Sequence, residues 1–243
     1  MTNYSGFAYL YDSFMANAPY VEWAAYIDSV LIKHLGQNRE NHIVLDIACG
    51  TGNITIPLAQ MGYDMIGVDK STDMLAQAQA KASDRQILFL AQDMRELDLY
   101  GTVDAAICVC DGMNYILSEA ELEAVFKHIR MFLNTGGVFI FDMNTEYKFK
   151  EVLGGKSFTA EADGAAYEWD NHYDADTSIN EYRVTFTSAT GEPFMEVHHQ
   201  RAYPVDTVCD LLRAAGFCTV EVRDGYSDDM PGDECIRVVF IAY

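Results

Sequence analysis

Three short apolar segments of the chain end in residues that can bind a ligand. Val44-Leu45-Asp46-Ile47 runs into Ala48-Cys49-Gly50-Thr51-Gly52-Asn53, Gly67-Val68 ends in Asp69, and Leu88-Phe89-Leu90-Ala91 runs into Gln92-Asp93-Met94. Glycines at a strand-to-helix turn let backbone approach a bound molecule without a Cβ in the way. An acidic residue ending the next strand, 23 positions after Asp46, is placed to pair with both hydroxyls of a ribose. Asp93 can accept from an adenine amino group, and the Met94 thioether can cover the ring.

Asp46 narrows the choice of ligand. A dinucleotide would rest its pyrophosphate on the glycine turn and the following helix N-terminus. A carboxylate there repels pyrophosphate and attracts an ammonium or a sulfonium. Thr55 also stands where the dinucleotide pattern has its third glycine. S-adenosylmethionine carries both cations and no phosphate, so it is the expected cofactor.

Further reactive side chains lie downstream. His198 and His199 are adjacent, so on a strand one imidazole faces each side and only one can line a pocket. Arg201 suits either an acidic ligand or one of the many carboxylates. Tyr167 and Trp169 suit a substrate pocket or the core of a small sheet.

The elements that must position these residues follow from periodicity. Tyr11, Phe14 and Met15 have helical spacing, and Trp23, Tyr26, Ile27, Val30 and Leu31 form a second helical stripe ended by Gly36 and Asn38. Strands are predicted at 42–47, 64–69, 87–91, 103–110 and 138–142, with helices at 54–61, 71–81 and 118–133. Ser71 is a candidate N-cap, and Ser118 with Glu121 has capping-box spacing. Strand–helix alternation at this spacing gives a parallel sheet covered on both faces.

Over 157–203 the pattern changes to aromatic and β-branched segments (167–169, 179–187, 194–203), with turns at 174–178 and 190–193. These predict an inserted antiparallel meander. A helix at 207–215 and an antiparallel strand pair at 218–222 and 235–242 complete the chain. The expected fold is α/β: a Rossmann-like, seven-stranded, mostly parallel sheet with helices on both faces, an N-terminal helical cover and a small inserted antiparallel β-sheet. The expected organisation is a helical cap over 1–40, a cofactor-binding domain over 41–145 and 204–243, and a substrate-side sheet over 146–203.

Composition limits the partners. Among 243 residues, 16 are Lys or Arg and 37 are Asp or Glu, a formal charge of −21. Such a surface repels phosphate backbones and anionic membranes. Half the residues are apolar, enough for a large core. Residues 1–6 show no basic-then-apolar leader, and no apolar run approaches the roughly 18 residues of a membrane span. A cytoplasmic location is expected. The six cysteines, Cys49, Cys108, Cys110, Cys209, Cys218 and Cys235, mostly sit within apolar runs, as buried reduced thiols do. No metal site is expected.

The motifs together resemble the class I S-adenosylmethionine-dependent methyltransferases. The family's acidic-x-Gly-x-Gly-x-Gly motif stands here as Asp46-Ile47-Ala48-Cys49-Gly50-Thr51-Gly52, with Ala48 at the first glycine. Gly67-Val68-Asp69, Ala91-Gln92-Asp93-Met94 and the segment 104–111 follow in family order. The resemblance implies that Asp46, Ala48, Cys49, Gly50 and Gly52 surround the methionine portion. It places Asp69 on the ribose and Gln92, Asp93 and Met94 on the adenine. Lys70, Ser71 and Met74 would line the adenosine side, and Cys110 would face the methyl group.

The opening Tyr9-Leu10-Tyr11-Asp12, Pro19-Tyr20 and Trp23 is similar to a bacterial small-molecule subgroup that includes sugar N,N-dimethyltransferases. That similarity implies an N-terminal tyrosine at the cofactor, Tyr11 or Tyr4. It also implies a substrate-facing loop beginning at Asp111-Gly112-Met113-Asn114-Tyr115. The implied reaction is methyl transfer to a small-molecule acceptor, a nitrogen before an oxygen, by a monomer or homodimer. An amine must lose its proton before attack, and the candidates to take it are Asp111, Tyr115, Tyr11 and His199, in that order. The alternatives on the same scaffold are a catalytically idle cofactor-binding regulator and a nicotinamide-dependent oxidoreductase.

Overall fold

A computed structural model describes residues 8–82, 86–162, 165–188 and 193–243. Tyr4, the opening segment 1–6, the side chain of Tyr9 and residues 190–192 of the turn expected at 190–193 lie outside the described residues.

Seven strands form the main sheet, in the order β10-β11-β5-β4-β1-β2-β3. They are β1 (Ile43–Ile47), β2 (Asp64–Asp69), β3 (Leu88–Ala91), β4 (Val103–Cys108), β5 (Leu133–Asn144), β10 (Val220–Asp224) and β11 (Arg237–Ala242). All neighbours pair in parallel except β11, which is antiparallel to both β5 and β10. Strand alternation divides the core between the faces. Leu45, Ile47, Phe139, Phe141 and Phe240 pack with Phe126 and Ile129 of α5 (Glu119–Phe132) and Leu212 of α6 (Val205–Ala214). Val44, Ile107, Ile140 and Ile241 pack with Ile27 and Leu31 of α2 (Tyr20–Leu35) and Leu58 of α3 (Thr55–Met61). The sheet is thus covered on both faces, as its near-continuous apolar strands require.

Local signals explain several boundaries. Ser71 caps α4 (Thr72–Lys81) by accepting from the Met74 N–H, and Ser118 caps α5 by accepting from the Glu121 N–H. Gly36 ends α2 at φ 94°. β5 begins at Leu133, not at residue 138. Its register with β4 passes from Val103–Leu133 to Ala105–Val138, so the Gly136-Gly137 turn is a detour within the strand. Gly136 has φ 82°, and a Cβ on Gly137 would lie 2.9 Å from the Asp104 carbonyl oxygen.

The second sheet has four antiparallel strands in the order β6-β7-β8-β9: β6 (Ser157–Ala162), β7 (Ala165–Asp174), β8 (Ile179–Ser188) and β9 (Phe194–Arg201). The sequence pattern indicates three of these segments and misses β6. It also misses a short π-helical turn, Lys148–Leu153. The helix α1 (Ala8–Phe14) lies against this sheet, with the Phe14 ring edge-on to Tyr167 at 4.5 Å. No helix among the described residues is long and apolar enough to cross a membrane.

Candidate active site

The C-terminal ends of β1, β2, β3 and β4 open on one side of the main sheet, and three connected hollows lie there beneath α1. The first, about 290 Å³, is lined by Tyr11, Ala48, Gly50, Asp69, Lys70, Ser71, Met74, Gln92, Asp93, Met94, Cys110 and Tyr115. Most residues implied for the cofactor therefore converge on a single cavity. A smaller hollow of about 40 Å³ adjoins it at Tyr11, Ala48, Gly50 and Cys110, and adds Asp46, Cys49 and Tyr20. Gly52 lines neither. Its φ of 78° and the Ile56 side chain 3.3 Å from a hypothetical Cβ make it a turn residue at the start of α3.

Asp69 organises the glycine turn. Its Oδ2 accepts from the Gly50 N–H at 2.8 Å, and its Oδ1 from the Ser71 N–H at 2.7 Å. Burial pushes its carboxyl up, and these backbone bonds pull against that. Asp46 is 2% exposed and its Oδ2 accepts from Thr55 Oγ1 at 2.6 Å. Burial pushes it up to about 7, the Thr55 bond opposes, and the charge of Asp69 adds to the rise. An acid in that state is poised to ionise when a cation arrives.

Asp93 is held well below the usual carboxylate range by Arg95, with Lys70 also bonded to it at 2.9 Å. Gln92 is tied to the backbone of Asp98 through both ends of its amide, so it shapes the adenine-side loop. Ala48 has φ 56°, a left-handed conformation that favours the glycine of the family motif.

S-adenosylmethionine fits this hollow pair on an internal test. The Tyr20 hydroxyl is buried and makes no well-formed hydrogen bond among the described residues, with only the polar groups of Tyr11, Asn53 and Cys110 nearby, and it opens on the same small hollow as Asp46. Orphaned buried hydroxyls are costly, and the charged end of a methionine moiety would give this one a partner. The Gly112 backbone also permits close packing here, since a Cβ on it would lie 2.6 Å from Cys108 Sγ and 3.2 Å from the Ala48 Cβ.

Next to this pair is a chamber of about 260 Å³, walled by Phe14, Tyr167, Trp169, Tyr182 and Phe186 and also lined by Tyr11, Cys110, Asp111, Lys148, His198 and Arg237. Tyr11 and Cys110 line both this chamber and the 290 Å³ cavity. Trp169 and Tyr167 thus face the chamber. Burial pushes the Cys110 thiol well up, with Asp142 adding to the rise, so the group facing the seam stays a neutral thiol.

The candidates for proton removal separate. Asp111 faces the chamber, but both its oxygens are engaged: Oδ1 accepts from Arg237 at 2.9 Å and Oδ2 from Gln200 at 2.6 Å. Tyr115 lines the cofactor cavity and bonds to Tyr182 and to His198. His199, expected as a further candidate, lies off the site. Its ring is exposed, it is paired with Glu181 at 3.0 Å, and it lines neither cavity. Strand alternation puts its neighbour His198, 2% exposed, into the chamber instead. Arg201 also lies away, bonded to the Leu117 carbonyl and Glu119.

Sequence reasoning missed a charged knot behind the chamber. Asp142, fully buried at the end of β5, accepts from the backbone N–H groups of Cys110 and Asp111, from Arg237 and from the Tyr226 hydroxyl. Cys110 and Asp111 both have positive φ, 62° and 57°, and Asp142 pins that strained turn. Lys148, held by Asn144 Oδ1 at 2.8 Å, is pulled down by burial and by Arg237. Asp12 was also missed as a latch: it accepts from Thr51, Asn53 and Lys81, tying α1 to the glycine turn and to α4. A larger cleft of about 610 Å³, reached from Thr145, Tyr147, Pro204 and Asp233, contains none of the sequence-predicted site residues.

Comparison with known proteins supports the same assignment. Residues 44–137 match the methyltransferase domain family. The putative methyltransferase YqeM of Bacillus subtilis is 34% identical over 98% of this chain and 96% of its own length. An S-adenosylmethionine-dependent methyltransferase from Clostridium acetobutylicum superposes with TM-score 0.85 at 28% identity, covering 99% of this chain and 98% of that one. The sugar N-methyltransferase KedS8 from Streptoalloteichus superposes with TM-score 0.79 at 24% identity, covering 96% and 91%.

Proposed function

The chain belongs to the class I S-adenosylmethionine-dependent methyltransferases, and from that premise we propose that it methylates the nitrogen of a small-molecule amine held in the aromatic chamber. The observation that carries this reading is the shared wall: Tyr11 and Cys110 border both the cofactor cavity and the chamber. A methyl donor on one side and an acceptor on the other would meet there.

When bound, the cofactor supplies a methyl group made electrophilic by its sulfonium, which leaves the protein chiefly orientation and desolvation to contribute. Asp69 would hold the ribose, Asp93 and Met94 the adenine, and Asp46 with Tyr20 the cationic methionine end. The rings of Phe14, Tyr167, Trp169 and Tyr182 would exclude water and present π faces to an amine or its cation. Asp111, fixed by Arg237 and Gln200, would orient the acceptor through a remaining oxygen lone pair and would not take its proton. The fold is shared with a protein named as a sugar N-methyltransferase, so this scaffold accommodates such chemistry. The net charge of −21 favours a neutral or cationic acceptor over a polyanion.

The test is incubation with methyl-labelled S-adenosylmethionine and a panel of amines, carboxylic acids and phenols, read by mass spectrometry. Label on the nitrogen of a small amine is the expected result. Label confined to oxygen acceptors would refute the amine reading. Saturable cofactor binding with no transfer to any panel member would favour an idle binding protein.

A further inference from the structure

One face of β9 is unusual for a strand packed inside a protein. Glu196, His198 and Gln200 alternate along it, and His198 and Gln200 are each 2% exposed. Buried polar side chains persist when they are hydrogen-bonded, and these three are. Gln200 donates to Asp111. The other two belong to a chain of contacts that crosses the seam between the two cavities.

Tyr182 on β8 lines the chamber, and Tyr115, in the 3₁₀ turn Gly112–Tyr115, lines the cofactor cavity. Their hydroxyls are hydrogen-bonded to each other. Tyr115 Oη lies 3.2 Å from His198 Nδ1, and His198 Nε2 lies 3.2 Å from Glu196 Oε2. The Tyr182 ring stacks on the imidazole at 4.7 Å, inclined by 6°, which fixes the plane of the histidine. The β8–β9 register sets Tyr182 opposite His198.

We propose that Tyr182, Tyr115, His198 and Glu196 form a proton wire that takes the proton from the acceptor ammonium at the seam and leaves a neutral amine. This rests on the amine reading above. The ammonium N–H of the acceptor donates to Tyr182 Oη, the Tyr182 hydroxyl to Tyr115 Oη, and the Tyr115 hydroxyl to His198 Nδ1. The Nε2–H donates to Glu196. In transfer, each oxygen gains one proton and passes on its own. The nitrogen keeps its electron pair for attack, and the imidazole becomes an imidazolium beside the Glu196 carboxylate. One proton leaves the acceptor and one arrives at His198, so both hydroxyls end neutral. Besides these groups, the charged residues sharing the chamber with His198 are Asp111, Lys148 and Arg237. The first and last of these are paired with each other.

The wire demands a particular tautomer, with Nδ1 bare and Nε2 protonated, because Nδ1 must accept from Tyr115. It also demands that Glu196 hold that tautomer by accepting from Nε2–H. Nitrogen NMR on histidine-labelled whole protein reads both without any acceptor. The expected result is the Nε2–H form in wild type and a mixture with the Nδ1–H form in Glu196→Leu, which removes the acceptor of the Nε2–H bond.

The kinetic arm uses the fastest amine of the panel. Glu196→Leu should lower kcat with cofactor affinity unchanged, because the imidazolium formed at His198 then lacks the facing carboxylate. Tyr182→Phe should lose about 100-fold in kcat, the low end of what proton transfer contributes, with cofactor affinity unchanged. An Nδ1–H tautomer in wild type, or a kcat unmoved by Tyr182→Phe, overturns the wire. If no amine in the panel turns over, the acceptor class is what fails, and the tautomer in wild type and in Glu196→Leu still decides the wire.

Discussion

Asp46→Asn is the perturbation that reports most on how the cofactor end of the site works. Asp46 is 2% exposed and burial pushes its carboxyl from 3.8 to about 7. That difference is about 4 kcal/mol against ionising it in the free enzyme. The sign follows from linkage: a carboxyl raised on folding contributes stability that is fully present below pH 3.8 and lost as pH rises through about 7. The free wild type should therefore lose up to about 4 kcal/mol of stability between pH 4 and 8, and Asp46→Asn should not.

Cofactor binding should reverse the balance. An ammonium or sulfonium beside Asp46 favours its charged form, so binding below pH 7 expels a proton. If the cation holds the bound carboxyl below pH 5, about 0.8 proton is released at pH 6 and about 0.1 at pH 8, and affinity rises roughly sixfold per pH unit around pH 6. Calorimetry of S-adenosylmethionine binding in buffers of different ionisation enthalpy counts these protons directly. Asp46→Asn should remove the pH-dependent part. The same proton release at pH 6 in Asp46→Asn and wild type would refute the placement of Asp46 at the cationic end.

Three further outcomes follow from the geometry. Asp69→Ala should weaken S-adenosylmethionine binding by roughly 1.5–3 kcal/mol, the worth of a hydrogen bond to a charged group, and unchanged affinity by calorimetry would mean another residue anchors the ribose. Arg237→Met strands Asp111 and the fully buried Asp142 without their cation, so chemical denaturation should show a loss of about 3–5 kcal/mol; a loss below 1 kcal/mol would show that the knot tolerates an uncompensated charge. Trp169→Ala opens the chamber wall without touching the cofactor cavity, so the acceptor KM should rise at least about tenfold, as loss of a well-buried aromatic contact does, with the cofactor Kd unchanged; a changed cofactor Kd would mean the two cavities are not independent.

What could be read from the chain beforehand, and what could not, divides along the topology. In a parallel sheet each binding residue sits at a strand end, so Asp46, Asp69 and Asp93 announce themselves by ending apolar runs. Asp69 and Asp93 line one cavity, and Asp46 lines the small hollow beside it. The chamber is different because its walls come from antiparallel strands, where alternation says that two neighbours face opposite ways but not which faces inward. His198 and His199 show that limit.

The knot around Asp142 joins Asp111 to Arg237 across 126 positions, and no local pattern links them. Lys148 sits in a π-helical turn with no periodicity to find it. Ala48 is a departure from the glycine motif that the structure explains: it keeps the left-handed φ of the glycine it replaces, at 56°.

The most direct measurement is the structure of the protein with S-adenosylhomocysteine bound, followed by soaking with an amine acceptor. The adenosine should lie among Asp69, Ser71 and Met94, with the sulfur at the seam between Tyr11 and Cys110 and the amine nitrogen facing it from the aromatic chamber. Adenosine in the 610 Å³ cleft beyond Thr145, or a sulfur turned away from the chamber, would contradict methyl transfer across that seam.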